Sequence, residues 1–450
     1  MRLYSGGGKR QLSRQSSPHR RGGKHLQPAP RGRLRRGVGA LAACGAALMM
    51  ATVSAGGPDA LLAEDLPAQT LSPAEHIQET AEPQTRFVLS FAGDCTLGAE
   101  HDSWNRSGNF PDVVGTDYAY PFSGVLSLFG ADDFTFVNLE GVLTDYHVPA
   151  QKTYRFRGPP EYAQILTEGS VEAVTLANNH TLDYGTQGLA DTRQALEDAG
   201  IAACGDCETL LVTTDSGLRI GIYAAYHLDR TRIRSGIEDL QQQGAEVIVA
   251  AFHSGTEGSY QPTAAQESLF RYAADCGAHI VYNSHPHVLG PMEFDGEHLI
   301  LSSMGNFCFG GNRNPTDKDT AVVQVTVERT DSGIELTEVT AIPCSVTSTP
   351  GRNDYRPSLC EADSTAAGRI ARKLAGTYRA PAAAQTAQPQ TAPSAATGSE
   401  TSAAAPSQTE LQTSAGTGEQ PAAPASEAMQ EAPGSQEPEW VFLDNGTGMG

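Results

Sequence analysis

The chain has 450 residues, with 52 acidic against 31 basic side chains, a formal net charge of −21 and 39% apolar residues. That length and apolar content suffice for a sizeable core, while the acidic balance disfavours nucleic acid or anionic lipid as a partner of the folded part. Eight cysteines, scattered rather than clustered, exclude a dense disulfide framework, and Cys204-Gly-Asp-Cys207 is a lone CxxC that suits a surface disulfide or free thiols better than a zinc knuckle.

Residues 1–36 contain eleven Lys or Arg and no acid, and read as a basic disordered n-region. The apolar run from Gly37 to Ala55 ends in Val53-Ser54-Ala55, the small residues that a signal peptidase prefers, so it is expected to be a signal peptide or a signal anchor. Its 19 residues are long enough to span a bilayer, but they are rich in Ala and Gly, and both fates stay open. Leu41-Ala42-Ala43-Cys44 looks like a lipoprotein box, but only four residues separate it from Arg36, too few for its apolar region. The expected location is therefore exported, either at the extracellular face of the cell membrane or secreted. Beyond Ala55 the chain carries 52 acids against 20 Lys or Arg, a net of −32, which does not disfavour metal cations as it does polyanions.

Residues 56–85 read as a linker. From 86 to 345, short runs rich in Val, Ile, Phe and Tyr alternate with longer segments of helical period, the pattern of an α/β fold. Strands are predicted at Arg86–Ala92, Asp133–Asn138, Val171–Ala177, Arg219–Ala225, Glu246–Phe252, His279–Asn283 and His298–Ser303, with a closing antiparallel hairpin around Arg329–Gly333. Helices are predicted over Pro159–Gly169, Thr186–Gly200 and Thr263–Gly277. Residues 346–379 form a C-terminal extension. The tail 380–450 has no Lys or Arg and reads as low-complexity and disordered, with Glu439–Asn445 its one stretch able to dock on anything.

Polar side chains recur where these strands end. Asp94 follows the first strand and Glu140 the second; Asn178, Asn179, His180 and Asp183 follow the third; His253 and Glu257 come next, then His285 and His287, then Asn306. A single Asp or Asn there is most often a turn residue or a helix cap, and a single His a satisfied surface or core residue. Six such strand ends together point instead to a ligand site at the carboxyl edge of the sheet. Carboxylates, carboxamides and imidazoles, without a repeated Cys spacing, suit Mn, Zn, Fe or Mg. In His285-Pro-His287, residues i and i+2 of an extended segment share a face, so both rings are expected to reach one site. No nucleophile elbow and no phosphate-binding glycine loop accompanies the set.

The motifs "AGDCTLG", "NLEGVLTD", "YRFRGPPEY", "LANNHTLDYG", "FHSGTEG", "NSHPHVLGPME" and "SMGNFCFG" resemble, in order and approximate spacing, those of the CapA family of poly-γ-glutamate capsule synthesis proteins. The resemblance covers roughly residues 87 to 345. It implies a calcineurin-like metallophosphoesterase fold, a two-sheet β-sandwich flanked by helices. It also implies metal ligands Asp94, Glu140, Asn179, His253, His285 and His287, holding one or two divalent ions (Mn, Zn or Fe), with His180 catalytic and Asp183 orienting its imidazole. Lys152, Arg155, Arg157, Asn178, Glu257 and Asn306 are then the residues expected to contact an anionic substrate. Three positions depart from the phosphoesterase pattern: Thr96 stands where that pattern has a His, Glu140 where it has an Asp, and Ser284 where Gly commonly precedes the paired histidines.

Two functions follow as expectations. One is a metal-dependent hydrolase or transferase acting on an anionic polymer or phosphoester of the cell envelope. The other is a non-catalytic, polymer-holding component of a capsule synthesis or export complex, with membrane subunits as partners. Neither engages nucleic acid.

Overall fold

A computed structural model describes residues 84–380. The expected n-region, the apolar run Gly37–Ala55, most of the linker and the tail with Glu439–Asn445 lie outside the described residues. Among the described residues no helix is long and apolar enough to cross a membrane.

The principal strands are β1 (Arg86–Thr96), β2 (Phe134–Leu139), β3 (Ala173–Thr175), β4 (Ala202–Cys204), β5 (Glu208–Thr213), β6 (Arg219–Ala225) and β7 (Val247–His253), then β8 (Ile280–Ser284), β9 (Met292–Phe294), β10 (Leu299–Leu301), β11 (Asn306–Phe309), β12 (Asp319–Thr330), β13 (Gly333–Ser345) and β14 (Ser358–Leu359). Principal helices are α1 (Ala163–Glu168), α2 (Gly185–Ala199), α3 (Arg230–Gln242), α4 (Ala264–Asp275) and α5 (Thr365–Leu374). One sheet has the order β14-β13-β12-β1-β2-β3-β4, with β11 also on β1; the second has the order β9-β10-β8-β7-β6-β5. A small third sheet joins Ala99–Glu100, Phe156–Gly158 and Val142–Leu143. β1, β2 and β3 run parallel, as do β7, β8 and β10, so each sheet has one edge where several strands end together.

Alternation along the strands divides the core. Phe87, Leu89 and Phe91 of β1 pack with Phe134 and Phe136 of β2 against Ile220, Val249, Ile280 and Tyr282 of the second sheet. The outer face of the first sheet is covered by Ile165, Leu166 and Leu196 from α1 and α2. Ile233, Ile237, Leu240 and Phe270 of α3 and α4 cover the second. Each fully buried side chain of this size contributes roughly 1.5–3 kcal/mol, so a sheet pair without its helices would lose two of its three apolar contacts. The result is the expected two-sheet sandwich flanked by helices.

Local signals set the element ends. Thr263 and Gln266 form a reciprocal capping box at the start of α4, and Gly200 closes α2 in the left-handed conformation at φ 75°. The closing hairpin β12–β13 is antiparallel as expected. The third strand is shorter than predicted: Ala177 N donates to Thr175 Oγ1, which ends β3 and turns the Asn178-Asn179-His180 segment out of the sheet. The 346–379 segment packs closely on the sandwich, with β14 pairing β13 and the α5 residues Ile370 and Leu374 inside the core between the sheets.

Candidate metal centre

The polar strand ends come from both sheets rather than from the edge of one. Asp94, Glu140 and the Asn178–His180 turn belong to the first sheet; His253, His285 and His287 belong to the second. Tyr282 joins the two beside the site, its hydroxyl donating to Ala92 O at 2.9 Å.

A bulge sets Asp94. The pairing of β1 with β2 shifts register between Phe91 and Asp94. Gly93 then lets β11 approach: a Cβ at Gly93 would lie 2.0 Å from Gly305 O, and Asp94 N donates to that same oxygen at 2.8 Å. Asp94 Oδ1 accepts from Asn138 Nδ2 at 2.9 Å, and Asn138 Oδ1 accepts from Asn178 Nδ2 at 3.0 Å. Asn178 Oδ1 in turn accepts from His180 N at 3.0 Å. This chain of side-chain amides fixes the three strand ends relative to one another.

On the other side, His253 sits at the last position of β7, fully buried. Its Nδ1 is 2.9 Å from Ser284 Oγ, and its Nε2 is 2.8 Å from Asn179 Oδ1 and 3.1 Å from His285 Nδ1. His285 and His287 do converge, with ring centroids 6.0 Å apart, but not on an extended segment as expected. Both have left-handed backbones, at φ 97° and 58°. Such conformations in non-glycine residues cost energy and persist where the surroundings impose them. Asn306 imposes one: its Oδ1 lies 3.0 Å from His287 Nδ1, and its Nδ2 donates to His287 O at 3.2 Å.

Glu140 occupies the middle. It is fully buried, and neither carboxylate oxygen has a hydrogen-bond partner among the described residues. Around Oε1 stand His253 Nε2 at 3.7 Å, His287 Nε2 at 3.7 Å and His180 Nε2 at 3.9 Å. Donor atoms of Asp94, Glu140 and His287 lie within 4.8 Å of one another, as do those of Glu140, His253 and His285, and those of Glu257, His285 and His287. An orphaned buried carboxylate ringed by imidazole nitrogens and shared by two ligand sets fits a divalent cation. Thr96 is no ligand. Its hydroxyl donates to Glu140 O at 2.8 Å, so the residue that departs from the phosphoesterase pattern supports the central carboxylate through the backbone.

The electrostatics agree. Burial pushes the Glu140 carboxyl well above the usual range; the positive charge of His287 opposes this, while Asp94, Glu257 and Asp183 reinforce it. Burial and the neighbouring His285 and His287 hold His253 well below an ordinary imidazole, and burial with His287 lowers His285 to about 4. Burial opposes charge on His287 too, but Glu140, Asp94 and Glu257 outweigh it and raise that ring to about 10. The centre thus keeps His253 and His285 neutral and places a positive charge on His287, beside Glu140 and Asp94.

His180 is set apart by its partners. Its Nδ1 meets Asp183 Oδ2 at 2.8 Å, which turns Nε2 toward Glu140. Asp183 is fully buried, accepts from Phe156 N at 2.5 Å and pairs with Lys152 Nζ at 2.7 Å. Lys152 also donates to Asn179 O at 2.8 Å and approaches His180 Nδ1 at 3.4 Å, so it borders the site. The two arginines are committed elsewhere. Arg155 pairs with Asp102 at 3.0 Å and Glu100 at 3.5 Å, while Arg157 donates to Thr144 O and lies 4.4 Å over the Trp104 ring.

Sequence reasoning missed Asn138, the hub between Asp94 and Asn178, although it stands only two residues before Glu140. It also missed Tyr226, a partly exposed ring 6.0 Å from His253, which follows β6 without any distinguishing pattern.

The family model described as "Bacterial capsule synthesis protein PGA_cap" matches residues 88–311, a span that includes every residue of the centre. The capsule biosynthesis protein CapA of Bacillus anthracis is 27% identical over 302 residues, covering 60% of this chain and 69% of that protein. The PGA biosynthesis protein CapA of Bacillus subtilis is 25% identical over 290 residues, covering 56% and 73%. A probable polyglutamine synthesis accessory protein of Mycobacterium tuberculosis is 36% identical over 115 residues, covering 25% and 30%. Among solved structures, TT1561 of Thermus thermophilus is similar at 9% identity and a TM-score of 0.32, covering 53% of this chain and 94% of that one. With the motif set from "AGDCTLG" to "SMGNFCFG" gathered at one site and inside the matched span, the chain belongs to the bacterial capsule synthesis family PGA_cap.

Proposed function

We propose that this protein is a capsule biosynthesis protein whose centre acts as a metal-dependent hydrolase or transferase on an anionic cell-envelope polymer, poly-γ-glutamate or a phosphodiester. The observation that carries this reading is Glu140: a buried carboxylate without a hydrogen-bond partner among the described residues, encircled by the nitrogens of His180, His253 and His287. One or two divalent ions (Mn, Zn or Fe) would supply Lewis acidity and an acidified water there.

The chain's own groups do the rest. Asp94, Glu140, Asn179, His253, His285 and His287 form the ligand set, with Glu257 in reach of the last two. Asp183 accepts a hydrogen bond from Nδ1–H of His180 and stabilises the doubly protonated ring, whose Nε2–H faces the centre and gives its proton to an oxygen that gains charge as a bond breaks. Lys152, partly exposed beside His180, holds an anionic group of the substrate. Asn178 positions the proton donor His180 through its backbone N, and Asn306 positions the ligand His287, rather than substrate. An exported location rests on the apolar run Gly37–Ala55 behind eleven unopposed cations, and membrane subunits of a capsule machinery are the partners that such a location would favour.

The test is metal content of the full chain together with turnover of a generic phosphodiester and of a γ-glutamyl polymer, for wild type and His180→Ala. Bound metal and a loss of turnover in the variant support the reading; no metal and no difference on either substrate overturn it. The relative named as an accessory protein favours a second reading, in which the same cleft holds polymer without cutting it. Polymer retention by a His180→Ala protein with full capsule display would select that one.

A further inference from the structure

The loop that follows β7 returns a carboxylate to the centre. His253 ends that strand, and residues 254–258 then run beside His285-Pro286-His287, tied to that segment at both ends. Ser254 N donates to Ser284 O at 3.0 Å, and Gly258 N donates to Pro286 O at 2.8 Å. Side chains brace the same loop: Ser254 Oγ donates to Asn283 Oδ1 at 2.9 Å and accepts from Gln266 Nε2 at 3.2 Å. Gly255, at φ 125°, lies so near Pro286 that a Cβ would come within 3.1 Å of its ring. The partly buried Glu257 is thereby held with a carboxylate oxygen within 4.8 Å of a ring nitrogen of both His285 and His287.

Glu257 is among the residues that the family resemblance assigns to contact with an anionic substrate. A carboxylate repels such a substrate at close range, so its chemistry suits a cation better. The two ligand groups around Glu140 are also unequal. Asn179, His253 and His285 accompany Glu140 on one side, whereas only Asp94 and His287 accompany it on the other. That poorer side is where the phosphoesterase pattern supplies a further His and this chain has Thr96, whose hydroxyl is turned to Glu140 O.

We infer, on the metal-dependent reading proposed above, that Glu257 is a metal ligand of this centre, supplied by the second sheet in place of the donor that Thr96 does not offer. A carboxylate oxygen in place of an imidazole nitrogen adds negative charge to the set and suits Mn as well as Zn. Glu257 then belongs with the ion rather than with the substrate.

The full chain is dialysed against Mn(II) and, separately, against Zn(II), and bound metal per chain is measured across a range of free metal for wild type, Glu257→Gln and Glu257→Asp, without substrate. The Gln variant keeps the shape and loses the charge; the Asp variant keeps the charge and withdraws the oxygen by one methylene. Both are expected to lose one bound equivalent or to bind at least about tenfold more weakly, the lower bound found when even a supporting partner of a ligand is removed. The melting temperature of the metal-free protein is expected to stay unchanged in both. Equal metal affinity and stoichiometry in wild type and Glu257→Gln would overturn the assignment while leaving the metal-dependent reading intact. Weakening in the Gln variant but not in the Asp variant would show a charge acting at a distance and would likewise overturn ligation. Binding of neither metal by wild type would overturn the metal-dependent reading and this ligand with it.

Discussion

Asp183 and His180 meet at 2.8 Å, Oδ2 to Nδ1, and the same carboxylate pairs with Lys152 at 2.7 Å through its other oxygen. One buried acid therefore sets both the imidazole facing Glu140 and the ammonium at the rim. Asp183→Asn keeps the shape but loses the charge, so His180 is no longer held in one orientation. Turnover is expected to fall about 10–100-fold, the usual effect of removing such a partner, with bound metal retained. Steady-state kinetics beside metal analysis of the same preparation checks this.

Glu140→Gln separates the centre from the fold. The substitution keeps the volume of a buried side chain but removes the shared charge of two ligand sets. Wild type at a metal concentration 100 times its dissociation constant is expected to gain about 2.7 kcal/mol of stability. The variant is expected to gain almost nothing, and thermal unfolding with and without metal measures the difference.

A second pair of acids controls stability against pH. Burial, opposed by hydrogen bonds from Ser90 and Thr135, raises Asp132 to about 7, and burial raises Glu172 to about 8. Both accept from Thr135, Asp132 at its Oγ1 and Glu172 at its backbone N. An unfolded carboxyl titrates near about 4, so above that pH the folded state binds more protons than the unfolded state. The stabilising contribution is complete below about 4 and is lost as pH rises through about 7 to 8. Urea unfolding at pH 5 and pH 9 is expected to show a loss at the higher pH, and Asp132→Asn with Glu172→Gln is expected to flatten it.

Lys373 anchors the C-terminal helix. It is 1% exposed, pairs with Asp317 at 2.5 Å and Asp319 at 2.7 Å, and lies 5.0 Å and 5.1 Å from the Tyr260 and Tyr378 rings. Lys373→Met leaves two carboxylates without their shared cation, although Arg369 still pairs with Asp319 at 2.5 Å. Breaking a buried pair costs roughly 3–5 kcal/mol, and the remaining arginine puts the expected loss near the lower figure. Chemical denaturation measures it.

Much of the centre was legible in the sequence because apolar runs end abruptly at Asp94, Glu140, Asn178 and His253, and such endings place polar groups at a sheet edge. The division of those endings between two sheets was not legible from periodicity, since both sheets use the same run of Val, Ile, Phe and Ala; the family resemblance implied two sheets but not which endings belong to which. The His285–His287 backbone was hidden for a different reason: left-handed histidines depend on Asn306, 19 residues later, and on no local pattern. Asn138 reads as one more strand residue until Asn178 is seen to donate to it. Helix α3 escaped notice because its apolar positions Ile233, Ile237 and Leu240 are diluted by charged residues and by Gly236.

The origin of the ligands in both sheets has a consequence for the order of synthesis. Asp94, Glu140 and Asn179 are translated well before His253, His285, His287 and Asn306, and the chain between these groups forms α2, β4, β5, β6, α3 and most of β7. A growing chain halted before Val247 possesses carboxylates and a carboxamide but none of those four partners. Under the proposed function, metal capture is therefore a late event, available only after the second sheet has been made and docked, and it would report that the two halves of the polypeptide have met.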